Sequence, residues 1–70
     1  MDRHGLICRS IWENPHMTQR EIGQKLMLSL GTVNNLIKEC MALGYVEQEN
    51  GKAYSLTEQG TEFLNTYRVD

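Results

Sequence analysis

What this sequence lacks already narrows it. No apolar stretch approaches the roughly 20 residues that a bilayer-spanning helix needs, so a membrane-spanning helix is excluded. Nothing at the N-terminus reads as a signal peptide, because Asp2, Arg3 and His4 precede only a short amphipathic segment; the expected location is cytoplasmic. The chain has only two cysteines, Cys8 and Cys40, and neither has a second Cys or His at metal-ligand spacing. That excludes a zinc finger, and the pair reads as small buried hydrophobes. His4 and His16 are isolated and receive no ligand role. There is no Gly-rich phosphate loop, no paired carboxylates and no nucleophile–base pair, so no catalytic residue, cofactor or metal is assigned and a free-standing enzyme is not expected. Positive charge is not in excess either: seven Lys and Arg stand against nine Asp and Glu. Non-specific affinity for nucleic acid comes from cations meeting phosphates, so any such binding must rest on a local face.

What is present fits one small domain over residues 1–70, near the lower size at which a core suffices without staples. No repeat, low-complexity tract or linker interrupts it. The organising stretch is 18–44. Thr18 caps a helix and Glu21, three residues on, completes a capping box; Ile22 and Leu26 then share a face. That helix ends near residues 27–28. Ser29 caps a second helix over 30–43, with Val33, Leu36, Ile37, Cys40 and Met41 as its buried stripe and Gly44 as the left-handed stop. Its opposite face carries Gly31, Asn34, Asn35 and Lys38, with Thr32 at the edge. Small residues, amides and a cation near a helix N-terminus suit a DNA major groove, although any solvated helix face is also polar.

Before this unit, residues 3–13 form a helix with Ile7, Cys8, Ile11 and Trp12 in one apolar band, ended by Asn14-Pro15. Met17 precedes the Thr18 cap and is placed to staple against Ile22. After Gly44 the period changes to alternation. Residues 45–48 and 53–56 are strands, joined through Asn50-Gly51, a strong hairpin dipeptide. Val46, Tyr54 and Leu56 are expected to face the helices. Thr57 caps a last helix over 58–67, with Phe63, Leu64 and Tyr67 apolar and Gly60 weakening it. The fold class is therefore mainly α with a small β-hairpin, in the winged helix-turn-helix order of three helices, two strands and a helix. Its expected core is Ile7, Ile11, Ile22, Leu26, Val33, Leu36, Ile37, Val46, Leu56 and Leu64.

In this order the chain resembles the MarR-like winged-helix regulators of bacteria. The resemblance is carried by Thr18-Gln19-Arg20-Glu21-Ile22, by Leu28-Ser29-Leu30-Gly31-Thr32-Val33-Asn34-Asn35-Leu36-Ile37, by Leu43-Gly44-Tyr45-Val46, and by Tyr54-Ser55-Leu56-Thr57-Glu58-Gln59-Gly60, and it covers nearly the whole chain. It departs from that family in lacking room for long dimer-building helices and in a wing tip that offers only Lys52, near Glu47 and Glu49.

The resemblance implies a DNA-binding domain of a transcriptional regulator, with double-stranded DNA as partner and helix 30–43 as reader. Gly31, Thr32, Asn34, Asn35 and Lys38 then face base edges or backbone. The hydroxyls of Ser29 and Thr32 suit phosphates. Arg20 and Lys25 add phosphate contacts from the preceding helix, and Lys52 adds one from the wing. Glu39 is expected beside the reading face. Trp12, Phe63 and Tyr67 either complete the core or form a two-fold homodimer face. A second reading is a regulatory or protein-interaction module that does not bind DNA. It draws on a likeness to the N-terminal winged domains of some bacterial nucleotidyltransferases of choline-phosphate and sugar-nucleotide metabolism. In that case a C-terminal catalytic domain, absent from this chain, follows Tyr67-Arg68-Val69-Asp70.

Overall fold

The computed structural model describes residues 1–51 and 53–67. Its elements run α1 (Arg3–Glu13), α2 (Gln19–Leu26), α3 (Leu30–Ala42), β1 (Val46–Glu49), β2 (Ala53–Leu56) and α4 (Glu58–Asn65). Each helix among the described residues opens on a side-chain cap: Asp2 accepts from Gly5 N, Thr18 from Glu21 N, Ser29 from Thr32 N and Thr57 from Gly60 N. Such caps each contribute about 1 kcal/mol by satisfying one orphan N–H. At Thr18 the box is closed, since the Glu21 carboxylate accepts from Thr18 N at 2.9 Å. That bond and the one from the Thr18 hydroxyl hold the Glu21 carboxyl below its ordinary value.

α2 stops slightly before the 27–28 end that the sequence leads one to expect. Leu26 is the last helical residue, and Met27 is a left-handed C-cap at φ 58°. Leu28 N then bonds Gly23 O. A left-handed non-glycine residue is uncommon, and the tight turn into Ser29 explains it here. α3 ends in a Schellman motif: Gly44 N bonds Met41 O, Tyr45 N bonds Cys40 O, and Gly44 sits at φ 82°.

The hairpin pairs Val46 with Leu56, Glu47 with Ser55, Gln48 with Tyr54 and Glu49 with Ala53. Asn50 and Gly51 turn it with φ of 52° and 74°. β1 begins one residue later than expected, because Tyr45 still closes α3. Two strands alone are marginal. Here the outer edge of β2 is also paired, as Tyr54 N donates to Met17 O and Tyr54 O accepts from His16 N.

The core is Ile7, Cys8, Ile11, Ile22, Val33, Leu36, Ile37, Cys40, Val46, Tyr54 and Leu64. Leu26 and Leu56, expected inside, are half-buried and pack against its rim, as does Met17. Met41, Trp12 and Tyr67, expected on apolar faces, are exposed. Trp12 and Met41 lie at the edges of their helices' buried stripes, and Tyr67 lies just past the end of α4. Phe63 is half-buried, stacked on Tyr45 at 4.3 Å and edge-on to Tyr67 at 5.4 Å. Cys8 and Cys40 are free and fully buried between α1 and α3; a hydrogen bond between them and burial push the Cys40 thiol up. Gly60 has a use that helix propensity hides: a methyl there would overlap the Tyr45 carbonyl oxygen, so only glycine lets α4 lie against β1's entry. α4 stops at Asn65, two residues earlier than expected, where Thr66 N and Tyr67 N fold back onto Phe63 O and Leu64 O.

Candidate nucleic-acid interface

The side of α3 away from the core is set by its own period. Val33, Leu36, Ile37 and Cys40 are drawn inward, which turns Gly31, Asn35 and Lys38 outward, and all three are exposed. A Cβ on Gly31 would meet nothing within 4 Å. Its glycine is therefore not demanded by internal packing, and it leaves the backbone of the first turn open to close approach. Arg20, on the first turn of α2, is exposed beside the start of α3. Among the described residues neither Arg20 nor Lys38 forms an ion pair, so both cations are available to a ligand.

Other residues singled out from the sequence are committed inside the fold. The Ser29 hydroxyl accepts from Thr32 N at 3.2 Å and donates to the Thr32 hydroxyl at 2.8 Å, so the cap occupies both groups. Lys25 stands 2.9 Å from Glu13 of α1, and that hydrogen bond and charge hold the Glu13 carboxyl below its ordinary range. Glu39, one turn after Asn35 on α3, is exposed and accepts from His4 of α1 at 2.6 Å, so its charge already has a partner. That bond raises the His4 pKa. Asn34 is half-buried, and its amide nitrogen reaches Gln19. Lys52 lies outside the described residues.

Between α2, α3 and the hairpin runs an open groove of about 430 Å³, bounded by Gln19, Arg20, Leu30, Gln48 and Tyr54 among others. Gln19 Nε2 donates to Tyr54 Oη at 2.8 Å, and Gln48 Nε2 reaches the same oxygen at 3.4 Å. Sequence reasoning missed Gln19 and Gln48, which carry no motif. The alternation of β2 did point Tyr54 inward, but not its hydroxyl towards α2. Leu30 was also missed; it is 55% exposed at the first position of α3, beside Arg20. A second cleft, about 250 Å³, lies on the far side of the molecule between Trp12, Leu64 and Tyr67. Among the described residues no group of His, Cys, Asp or Glu is arranged to hold a metal, and no helix is long and apolar enough to cross a membrane.

A capped short helix, a tight turn, a longer helix with a bare polar stripe and a hairpin packed beside it define a winged helix-turn-helix domain. The sequence profile of winged helix-turn-helix DNA-binding proteins matches residues 3–47, and the chain belongs to that family. No curated protein sequence matches it. Its fold is that of MarR-family proteins. The MarR repressor of Listeria monocytogenes is similar with a TM-score of 0.88 at 14% identity, over 93% of this chain and 47% of that one. Streptococcus pneumoniae FabT, solved in complex with DNA, is similar with a TM-score of 0.87 at 21% identity, over 94% of this chain and 50% of that one. Reduced MarR from E. coli has a TM-score of 0.85 at 21% identity, over 90% and 47% respectively. The chain thus spans about half the length of these structures.

Proposed function

We propose that this chain is the DNA-reading domain of a MarR-like transcriptional regulator, folded as one domain over residues 1–70. The observation that carries this reading is the bare stripe Gly31, Asn35 and Lys38 on α3, with Arg20 beside it, on a family framework whose relative FabT was solved with DNA. In this reading α3 enters the major groove with its N-terminal half towards base edges. Asn35 and Lys38 read or contact from the stripe, Gly31 admits close approach, and Arg20 meets phosphate. Lys52 meets phosphate from the wing. Ser29 and Thr32 act through the cap that aims the helix, and Lys25 contributes less than its charge suggests because Glu13 neutralises it. The role is binding, not catalysis.

Three cations then remain for phosphate, and log K is expected to fall against log salt with a slope of about −3 per protomer. A slope that shallow means weak binding by one copy. Specific affinity therefore calls for two protomers on a two-fold site. The exposed Trp12 and Tyr67, flanking the cleft on the α1–α4 side, are the face we assign to that pairing. Phe63 lends support through its edge contact with Tyr67. A cytoplasmic location fits this role. The test is a fluorescence-anisotropy titration against mixed-sequence duplex at low salt, with sedimentation on the same sample. Saturable, salt-sensitive binding is expected; no binding at high micromolar protein would remove the reading.

A further inference from the structure

We propose that Leu30 reads a thymine: its exposed side chain, at the end of α3 that enters the major groove, covers the C5 methyl group of one thymine and selects for it. The inference rests on the DNA-binding reading above and adds an apolar base contact to it.

Leu30 is 55% exposed at the first position of α3 and is neither a core residue nor one of the half-buried apolar residues packed against the core. Lone exposed leucines are ordinary on a protein surface, so exposure alone assigns nothing. Position does. Leu30 lies one turn before Asn34, on the border between the buried stripe of α3 and its outward stripe. Helical side chains tilt towards the N-terminus, so Leu30 reaches past the first turn of α3 rather than back along it. Open space borders it on two sides: the groove towards Gln19 and Gln48, and a hollow of about 250 Å³ towards Gly23 and Gln24. Arg20 borders both. A Cβ on the adjoining Gly31 would meet nothing, so the turn that carries Leu30 can come close to a partner surface. One branched apolar side chain thus stands among amides and a cation.

That setting fits one feature of duplex DNA. Phosphates, and the nitrogen and oxygen atoms of base edges, are polar, and a leucine pressed against them removes water without replacing its hydrogen bonds. The thymine C5 methyl is the apolar group that the major groove presents, and apolar side chains meet it there. Covering it takes apolar area of both partners out of water. Arg20, which forms no ion pair among the described residues, meets phosphate beside it and holds the first turn in the groove. Leu30 is then a specificity residue that separates thymine from cytosine, which lacks the methyl group.

The experiment selects binding sites from a randomised duplex pool with the wild-type chain, Leu30→Ala and Leu30→Gln, each checked for folding by circular dichroism. The wild type is expected to enrich thymine at a position where the two variants do not. Replacing that thymine by deoxyuridine removes the C5 methyl and nothing else. Wild-type binding should then weaken about fourfold, the worth of one buried methyl group, while binding by the variants stays unchanged. At the same position 5-methylcytosine should bind the wild type about fourfold tighter than cytosine, because the methyl group returns on a different base. These two base replacements need only the wild-type chain, so they decide the matter even if a variant does not fold. If no thymine-to-deoxyuridine change alters wild-type binding, this inference falls and the DNA-binding reading stands. An equal loss in a folded Leu30 variant has the same meaning, since the methyl group then faces another residue. If neither selection nor titration detects binding, both fall together.

Discussion

The flank of α3 that meets α1 and the stripe that turns outward differ in how far their side chains are already engaged within the fold. On the inner flank Glu39 is bound to His4 at 2.6 Å and Cys40 is sealed against Cys8. On the outer stripe Asn35 and Lys38 stand exposed. The same contrast separates the two basic residues of α2: Lys25 is held by Glu13, while Arg20 forms no ion pair among the described residues. A charge that already has a partner in the fold must give it up before meeting a phosphate. In the proposed reading, the cations available to phosphate are therefore fewer than the sequence offers.

The largest effect that sharpens this contrast is on stability. Ile37→Ala, on the buried side of α3, should lose about 2–5 kcal/mol in urea denaturation. Asn35→Ala, on the outer stripe, should stay within about 0.5 kcal/mol of wild type. Similar losses from both would mean that the outer stripe is part of the packing. Next comes Gly60→Ala. The added methyl collides with the Tyr45 carbonyl, and such overpacking costs on the order of 1–3 kcal/mol against the small gain helix propensity predicts. A stabilised variant would show that α4 can draw back without loss.

A smaller effect separates the two sets of cations. Lys38→Ala should flatten the slope of log K against log salt by about 0.9, the share of one phosphate contact. Lys25→Ala should leave it nearly unchanged, because Glu13 already neutralises that charge. Equal changes from the two would erase the distinction drawn between them. The smallest effect is on pH. The bond to Glu39 raises the His4 pKa above its ordinary 6.5 in the folded state. A raised folded value means the contribution is full below about 6.5 and fades as pH rises through the folded value. Thermal melts between pH 5.5 and 8.5 should show stability falling across that window. Glu39→Gln should remove that dependence with little change in DNA affinity, since the Glu39 carboxylate is already paired with His4. Tighter DNA binding by Glu39→Gln would instead put the carboxylate back beside the phosphates.

Most of the helical framework is legible in the sequence alone, and the reasons are local. The Thr18 box, the Ser29 and Thr57 caps, Gly44 and Asn50-Gly51 each act within a few residues of themselves, so their meaning does not depend on what lies across the molecule. The alternating β2 and the stripe of α3 are legible for the same reason. Misjudged residues lay at the edges of stripes. Trp12, Met41 and Tyr67 have the right period to be buried but stay exposed, because how far cover extends over a stripe's edge is set by packing and not by period.

By itself, then, the sequence determined the order of elements, their caps and turns and the main inward side of α3, though not that Asn34 is half-buried or Met41 exposed. Periodicity and capping are short-range, and short-range physics is written in adjacent residues. Only the tertiary structure decided which polar groups are already engaged. Lys25 with Glu13, Glu39 with His4, Asn34 with Gln19, and Gln19 with Tyr54 are pairs 12 to 35 residues apart that bridge separate elements. Their side chains meet because α1, α2, α3 and the hairpin pack around one core, and a sequence pattern carries no distance between residues on different elements. Gly60 belongs with them: its neighbour in sequence is a helix, but the reason for a glycine is the carbonyl of Tyr45 across the gap.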